Sequence, residues 1–92
     1  MQNYIENTRS ISNKMKYVRL MENDAVIIFP TNVEHSTFAD LKIKSAGFCF
    51  INGEKKTIEC FGKSYSLGIS SLEELDSLAA TRQYFHKQIT LY

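Results

Sequence analysis

The sequence has no tryptophan, one proline and two cysteines, and its longest apolar run is AVIIF. Two cysteines, Cys49 and Cys60, cannot form a disulfide framework, so a reduced, cytosolic chain is predicted. A run as short as AVIIF cannot cross a bilayer. The polar N-terminus MQNYIENTRSISNK predicts that there is no secretion signal. These absences argue against the secreted and membrane-spanning classes of protein.

Histidine is also scarce, with only His35 and His86 in the chain. Neither lies in a metal-binding spacing such as HxxxH, and no two acidic residues stand at the spacing of an acid–base pair. The adjacency of His35 and Ser36 does not make a catalytic pair, because such a pair depends on geometry in space. The favoured interpretation of His35 is a surface or helix-start residue. The sequence thus predicts a protein that is not an enzyme and that uses no metal or cofactor.

Charge of one sign is not in excess overall, since the net charge is +1 over 92 residues. A surface that coats long nucleic acids is therefore not expected. Positive charge is concentrated in residues 42–63, which hold five lysines and two glutamates. Solvated lysines on strand edges and turns are the favoured interpretation, and a small anionic ligand is the alternative.

The length predicts one domain, residues 15–92, preceded by a polar arm or extension over residues 1–14. A domain this small buries more apolar surface by self-association, so a homo-oligomer is expected. MKYVRLM and AVIIF predict two strands, and the continuous apolar character of AVIIF is typical of a central strand buried on both faces. ITLY, residues 89–92, is a candidate edge strand.

The segment TNVEHSTFADLK predicts a short helix. Thr31 or Asn32 can cap its N-terminus, and Val33, Phe38 and Leu41 supply an apolar side.

SAGFCFIN and TIECFG predict a β-hairpin. A two-residue Asn52-Gly53 turn would set Ile51 opposite Glu54, which pairs an apolar residue with a charged one. A longer loop over residues 53–56 sets Ile51 opposite Ile58, and it also brings Cys49 opposite Cys60. Register follows the hydrophobic pattern, so the longer loop is preferred.

The last predicted element is the longer helix that begins near residue 72. Ser70 or Ser71 can cap it, because Glu73 and Glu74 follow at the spacing of a capping box. One buried stripe is predicted at three- and four-residue steps, formed by Leu72, Leu75, Leu78, Ala79, Arg82 and Phe85. The predicted fold is α+β: a small, mostly antiparallel sheet of four to five strands with a short helix and one longer C-terminal helix.

The segment GKSYSLGISS lies between a strand and this helix, where many proteins bind phosphate. The phosphate loop of nucleoside triphosphatases is excluded. Gly62 and Gly68 are one residue too far apart, and Lys63 follows the first glycine of the segment instead of the second. A looser anion site of Lys63, Ser64 and Ser66 stays open beside the alternative that the glycines turn the chain and the serines cap. Tyr65 either stacks on a base there or covers the edge of the core.

Three motifs carry a resemblance to a known group of proteins. They are Glu34-His35-Ser36, the SAGF of residues 45–48, and the GxSxSLG of residues 62–68. Over residues 15 to about 80 the chain resembles a group of small phage and prophage proteins, and the similarity points to viral sponges that sequester the cyclic oligonucleotide signals of bacterial immunity, the anti-CBASS proteins.

The resemblance implies a phage-encoded counter-defence protein in the cytoplasm of the infected bacterial host, with a cyclic nucleotide as its ligand. The implied pocket residues are His35, Ser36, Phe48, Ser64, Tyr65 and Ser66. The implied phosphate partners are Lys42, Lys44, Lys63 and Arg82. The alternative is a protein-binding inhibitor of a host defence complex, of the anti-CRISPR type, whose acidic helix residues Glu73, Glu74 and Asp76 mimic nucleic acid.

Overall fold

The computed structural model describes residues 14–86 of the chain. The elements in chain order are β1 (Lys14–Leu20), β2 (Val26–Phe29), a 3-10 helix (His35–Phe38), β3 (Ile43–Asn52), β4 (Thr57–Phe61), β5 (Lys63–Ser64), β6 (Ile69–Ser70) and α1 (Glu73–Phe85). The predicted strand at residues 89–92 and nearly all of the predicted arm lie outside the described residues. Strand β1 begins at Lys14, one residue before the predicted domain start.

The strands form a four-stranded antiparallel sheet in the order β2-β1-β3-β4 and a separate two-stranded sheet of β5 and β6. The α+β prediction is therefore confirmed. The prediction for AVIIF was wrong in one respect, because β2 is an edge strand and not a central one. Strand β2 is apolar because Val26 and Ile28 pack in the core on one face of the sheet and Ile27 and Phe29 in the core on the other. The C-terminal helix also bonds its outer edge.

The hairpin of β3 and β4 has the predicted register. Ile51 lies opposite Ile58 and Cys49 opposite Cys60, and residues 53–56 form the loop. A two-residue turn at Asn52-Gly53 would have displaced every apolar side chain of β4 relative to β3. Burial of the apolar face therefore outweighs the local preference for the tight turn.

The two faces of the four-stranded sheet carry two separate cores. Residues opposite each other on neighbouring strands point to the same face, so Tyr17, Val26, Cys49 and Ile58 share one face, here called the helix face. The other face, here called the hairpin face, contacts the 3-10 helix and the β5–β6 hairpin. Its core is formed by Val18, Phe29, Ile43 and Ala46, with Val33, Phe38, Leu67 and Ile69 packed against it.

Helix α1 packs on the helix face with a side that was not predicted. Asp76 and Ala80 are its buried residues, whereas Leu72, Leu75 and Leu78 are exposed. The predicted buried stripe was therefore wrong for the three leucines and for Arg82, while Ala79 and Phe85 are partly buried against the core. The turn-by-turn spacing of apolar residues was real, but it marks the outer surface of this helix.

Polar side chains of α1 explain why this side packs inward. The N–H groups of Ile58 and Cys60 donate to the hydroxyls of Thr81 and Ser77 at 2.9 and 2.8 Å. On the opposite edge of the sheet, the Gln83 amide bonds both the N–H and the C=O of Val26, at 2.8 and 2.9 Å. One helix therefore satisfies backbone groups on both edges of the sheet.

Asp76 is the centre of a buried polar cluster between helix and sheet. Its carboxylate accepts hydrogen bonds from the Tyr17 hydroxyl, from Arg19 Nη1 at 3.0 Å and from Ser45 Oγ at 2.7 Å. It also accepts the N–H of Leu72 at 2.8 Å. Burial and then the bond to Asp76 raise the pKa of Tyr17, so the phenol stays a donor.

This arrangement corrects the predicted cap of the helix. Leu72 occupies the N-cap position and no N-cap side chain bonds the first turn, so neither Ser70 nor Ser71 caps it. Asp76 bonds the N–H of Leu72 from inside the helix instead. The short helix is likewise smaller than predicted: Glu34 is its N-cap, no capping side chain from Thr31 or Asn32 is present, and Leu41 is exposed.

The buried cysteine pair leads to a prediction about reactivity. Cys49 and Cys60 are free and buried, and burial raises the pKa of both thiols to about 12. At pH 8 the reactive thiolate is then a fraction of about 10⁻⁴, so labelling by a maleimide is expected to be slow in the native protein. Both thiols should label rapidly in denaturant. Fast labelling of the native chain at pH 8 would contradict this packing.

Candidate ligand-binding surface

The loop between β5 and β6 carries the most exposed aromatic side chain of residues 14–86. Tyr65 is 83% exposed, and Lys63 Nζ lies 5.0 Å from the centroid of its ring. This distance is that of a cation–π contact. An exposed ring beside an ammonium group can stack on a planar heterocycle while the ammonium meets an anionic group. Ser66 is the next residue and is exposed as well.

Ser64 builds this loop from the inside. It is fully buried, its hydroxyl accepts the N–H of Leu67 at 3.2 Å, and its carbonyl accepts the N–H of Gly68 at 2.8 Å. Gly62 and Gly68 have φ angles of 80° and 68°, in the left-handed region that favours glycine. The hydroxyl of Ser64 is thus engaged in the turn, and its burial keeps it away from a ligand. The expectation that the glycines turn the chain is confirmed.

His35 is the first residue of the 3-10 helix, as one interpretation predicted, but it is buried rather than at the surface. Its Nε2 lies 2.9 Å from the carbonyl oxygen of Gly47, and its ring meets those of Phe29 and Phe48 edge to face, with centroids 5.5 and 5.8 Å away. These contacts join the 3-10 helix to β3, which is a packing role. Its neighbour Ser36 is exposed.

Phe48 is half-buried and begins a row of rings along the hairpin face. Phe61 stacks between Phe48 and Phe50, with centroids 6.0 and 5.1 Å away. Lys14 Nζ lies 4.8 Å from the centroid of Phe48. The hairpin face therefore presents two pairs of a lysine with an aromatic ring, Lys14 with Phe48 and Lys63 with Tyr65.

The remaining predicted cations lie elsewhere. Lys42 precedes β3 and is exposed; Lys44 is on β3, and its Nζ lies 2.7 Å from Asp24 Oδ1. The pKa of Asp24 is lowered, mainly by the hydrogen bond from Lys44. Lys44 and Phe48 are four positions apart on β3, which corresponds to about 13 Å along the strand. Arg82 is on α1, which packs on the helix face, so the sheet separates Arg82 from the β5–β6 loop that carries Tyr65.

A groove that the sequence reasoning missed lies at the outer edge of β4. It has a volume of about 550 Å³. Its lining residues are Phe50, Glu59, Cys60, Phe61, Glu73, Glu74 and Ser77. Three carboxylates make it unfavourable for a phosphate. The predicted hairpin register already implied that Phe50 lies opposite Glu59, so the strand side of the groove was predictable, but the side formed by α1 was not.

The buried cluster around Asp76 joins several polar side chains, but it is closed to solvent: Tyr17, Ser45 and Asp76 are fully buried. Its contacts serve the attachment of the helix to the sheet. Within residues 14–86, no group of three or more His, Cys, Asp or Glu side chains is placed to hold a metal ion. None of the helices in that range has the length and apolar character needed to span a membrane.

Comparison of the chain with models of protein families, with curated protein sequences and with solved structures finds no match.

Proposed function

We propose that this protein is a non-enzymatic, phage-encoded counter-defence protein that sequesters a cyclic nucleotide signal in the cytoplasm of the infected bacterial host. The observation that carries the proposal is Tyr65, whose ring is 83% exposed on a turn with an ammonium group beside it. A large ring exposed to this degree adds nothing to the core, so its chemistry is available for a ligand.

A cyclic dinucleotide offers two bases and two phosphates, and the hairpin face offers two lysine–aromatic pairs. Tyr65 stacks on a base, and Lys63 meets the adjoining phosphate. Phe48 with Lys14 is the second pair, although the half-burial of Phe48 leaves only part of its ring for stacking. Stacking of a base on an aromatic side chain contributes about 1–3 kcal/mol, which is enough for sequestration only when several such contacts act together.

Residues of the implied pocket contribute unequally to this proposal. Tyr65, Lys63, Ser66 and Phe48 contact the ligand. Ser64 and His35 are buried and act by holding the loop and β3 in place. The alternative of an inhibitor that mimics nucleic acid is less well supported, because Asp76 is buried and only Glu73 and Glu74 of its three carboxylates reach solvent.

Calorimetric titration with a panel of cyclic di- and trinucleotides tests the proposal. The wild-type protein should bind at least one member, and Tyr65→Ala should weaken that binding by about 5- to 150-fold, the equivalent of 1–3 kcal/mol. Lys63→Gln should weaken it less and reduce its dependence on salt.

Tyr65→Phe is the matched control, since it keeps the ring and should keep most of the affinity. Because Tyr65 is exposed, all three variants should unfold within about 0.5 kcal/mol of wild type. No binding across the panel at micromolar protein would overturn the proposal. Conversion of the bound nucleotide to a cleaved product would overturn its non-enzymatic part.

A further inference from the structure

The outer side of helix α1 carries three exposed leucines. Leu72, Leu75 and Leu78 are 44%, 59% and 50% exposed. They follow one another at three-residue steps, so they form a continuous stripe, here called the leucine stripe. Polar bonds to both sheet edges hold the helix with this stripe outward, so the helix cannot rotate to bury it without breaking those bonds.

Opposite charges lie on either side of Leu78, the last leucine of the stripe. Glu74 lies four residues before Leu78 and Arg82 four residues after it, and residues four apart lie on the same side of a helix. Both side chains are exposed, and within residues 14–86 neither forms an ion pair. The helix therefore carries a negative and a positive charge at equal distances from Leu78.

We infer that the leucine stripe binds a second copy of this chain, with the two α1 helices antiparallel about a two-fold axis at Leu78. In a two-fold contact, if residue i of one copy meets residue j of the other, then residue j of the first copy meets residue i of the second. With Leu78 on the axis, Glu74 of each copy faces the other copy's Arg82, so the arrangement that sets Leu78 against Leu78 also pairs both charges twice. A parallel arrangement would set Glu74 against Glu74 and Arg82 against Arg82, which is unfavourable.

The contact is small, because a helix of this length is about 20 Å long. Interfaces at the low end of the size range are weak and reversible. The dimer is independent of the proposed nucleotide binding, since Tyr65 lies on the other face of the sheet.

Sedimentation equilibrium of the full chain tests the inference. The wild type should have a dimer mass at about 200 µM and shift toward the monomer at about 2 µM, as a weak interface implies. The double variant Leu75→Gln/Leu78→Gln should stay monomeric at the higher concentration. Leu41→Gln is the matched control, because Leu41 is 43% exposed and lies outside α1, and it should dimerise like the wild type.

Charge exchange tests the antiparallel arrangement. Glu74→Arg alone and Arg82→Glu alone should each weaken dimerisation by at least about threefold, and the double variant Glu74→Arg/Arg82→Glu should recover it to within about twofold of wild type. The Tyr65→Ala variant should dimerise normally, so failure of the nucleotide proposal would leave this inference untouched.

Three results would overturn the inference. One is a wild type that remains monomeric at about 200 µM. Another is a glutamine variant that melts several degrees lower at low concentration without any change in mass, which would mean that a segment of the same chain, within residues 1–13 or 87–92, covers the stripe. The third is a charge-exchanged double variant no better than the singles.

Discussion

Replacing Asp76 with alanine is expected to lower the free energy of unfolding by about 3–5 kcal/mol, the cost of removing one partner from a buried ion pair. The substitution leaves Arg19, whose side chain is 11% exposed, without its nearest carboxylate at 3.0 Å. It also removes the acceptor for the Tyr17 and Ser45 hydroxyls, both of which are buried. Since small domains are stable by about 5–15 kcal/mol, a large part of the stability should disappear. Urea denaturation followed by circular dichroism measures it.

Asp24→Asn is the matched control for this substitution, because asparagine removes the charge and tolerates the φ of 60° at this position. Asp24 also lies near Arg19, with 3.4 Å from its Oδ1 to Nη2, but its side chain is 55% exposed. Exposed ion pairs contribute about 0–1 kcal/mol, so the control should unfold close to the wild type. Equal losses from the two substitutions would show that the cluster around Asp76 does not hold the helix on the sheet.

Gly47→Ala is expected to destabilise the fold by about 3 kcal/mol, at the upper end of the cost of overpacking. A Cβ at this position would lie 2.4 Å from the carbonyl oxygen of Phe61 and 3.3 Å from the carbonyl carbon of Gly62. Both atoms belong to the backbone where β4 leads into β5, so neither can rotate away. The carbonyl of Gly47 also meets Nε2 of His35, so a shift of β3 would disturb the 3-10 helix.

Gly53→Ala provides the comparison. A Cβ at Gly53 would meet no atom within 4 Å, and its φ is not in the left-handed region, so a change within about 0.5 kcal/mol is expected. Thermal melts of the two variants side by side give the difference directly. If Gly47→Ala melted like Gly53→Ala, the close approach of β3 to the Phe61–Gly62 backbone would be incorrect.

The β3–β4 hairpin could be predicted in register because its determinants are local. Ile51, Cys49 and their partners in β4 are separated by a short loop, and one slip would place apolar side chains opposite charged ones. The positive φ of Gly62 and Gly68 was predictable for the same reason, since a glycine between strands indicates a turn.

The orientation of α1 could not be predicted in this way. Periodicity identifies an apolar side, and in an isolated domain that side is expected to face the core. Here the inward side is chosen by Ser77, Thr81 and Gln83, which satisfy backbone groups 17 to 57 residues earlier in the chain. A prediction from periodicity alone does not take into account backbone groups at the sheet edges that need hydrogen-bond partners. For this reason it places the leucines on the wrong side of the helix.

The candidate site was predictable only in part. Tyr65 stood out because an aromatic residue in a polar glycine turn has little to pack against, and its exposure follows from that position. The resemblance implied Arg82 as a phosphate partner near Tyr65, yet the sheet lies between the two residues. The acidic groove at β4 is lined by Glu59 on the strand and by Glu73 and Glu74 on α1, so it depends on the tertiary packing of the helix.

The hydrogen bonds from α1 to Val26, Ile58 and Cys60 have a consequence for how the protein aggregates under destabilising conditions. Strand edges with free N–H and C=O groups pair readily with strands of other molecules, and one helix occupies such groups on both edges of this sheet. Detachment of α1 would therefore expose the backbone groups of both edge strands, β2 and β4, at the same time. Local opening of the C-terminal helix should be the step that commits this chain to aggregation, well before the four-stranded sheet itself comes apart.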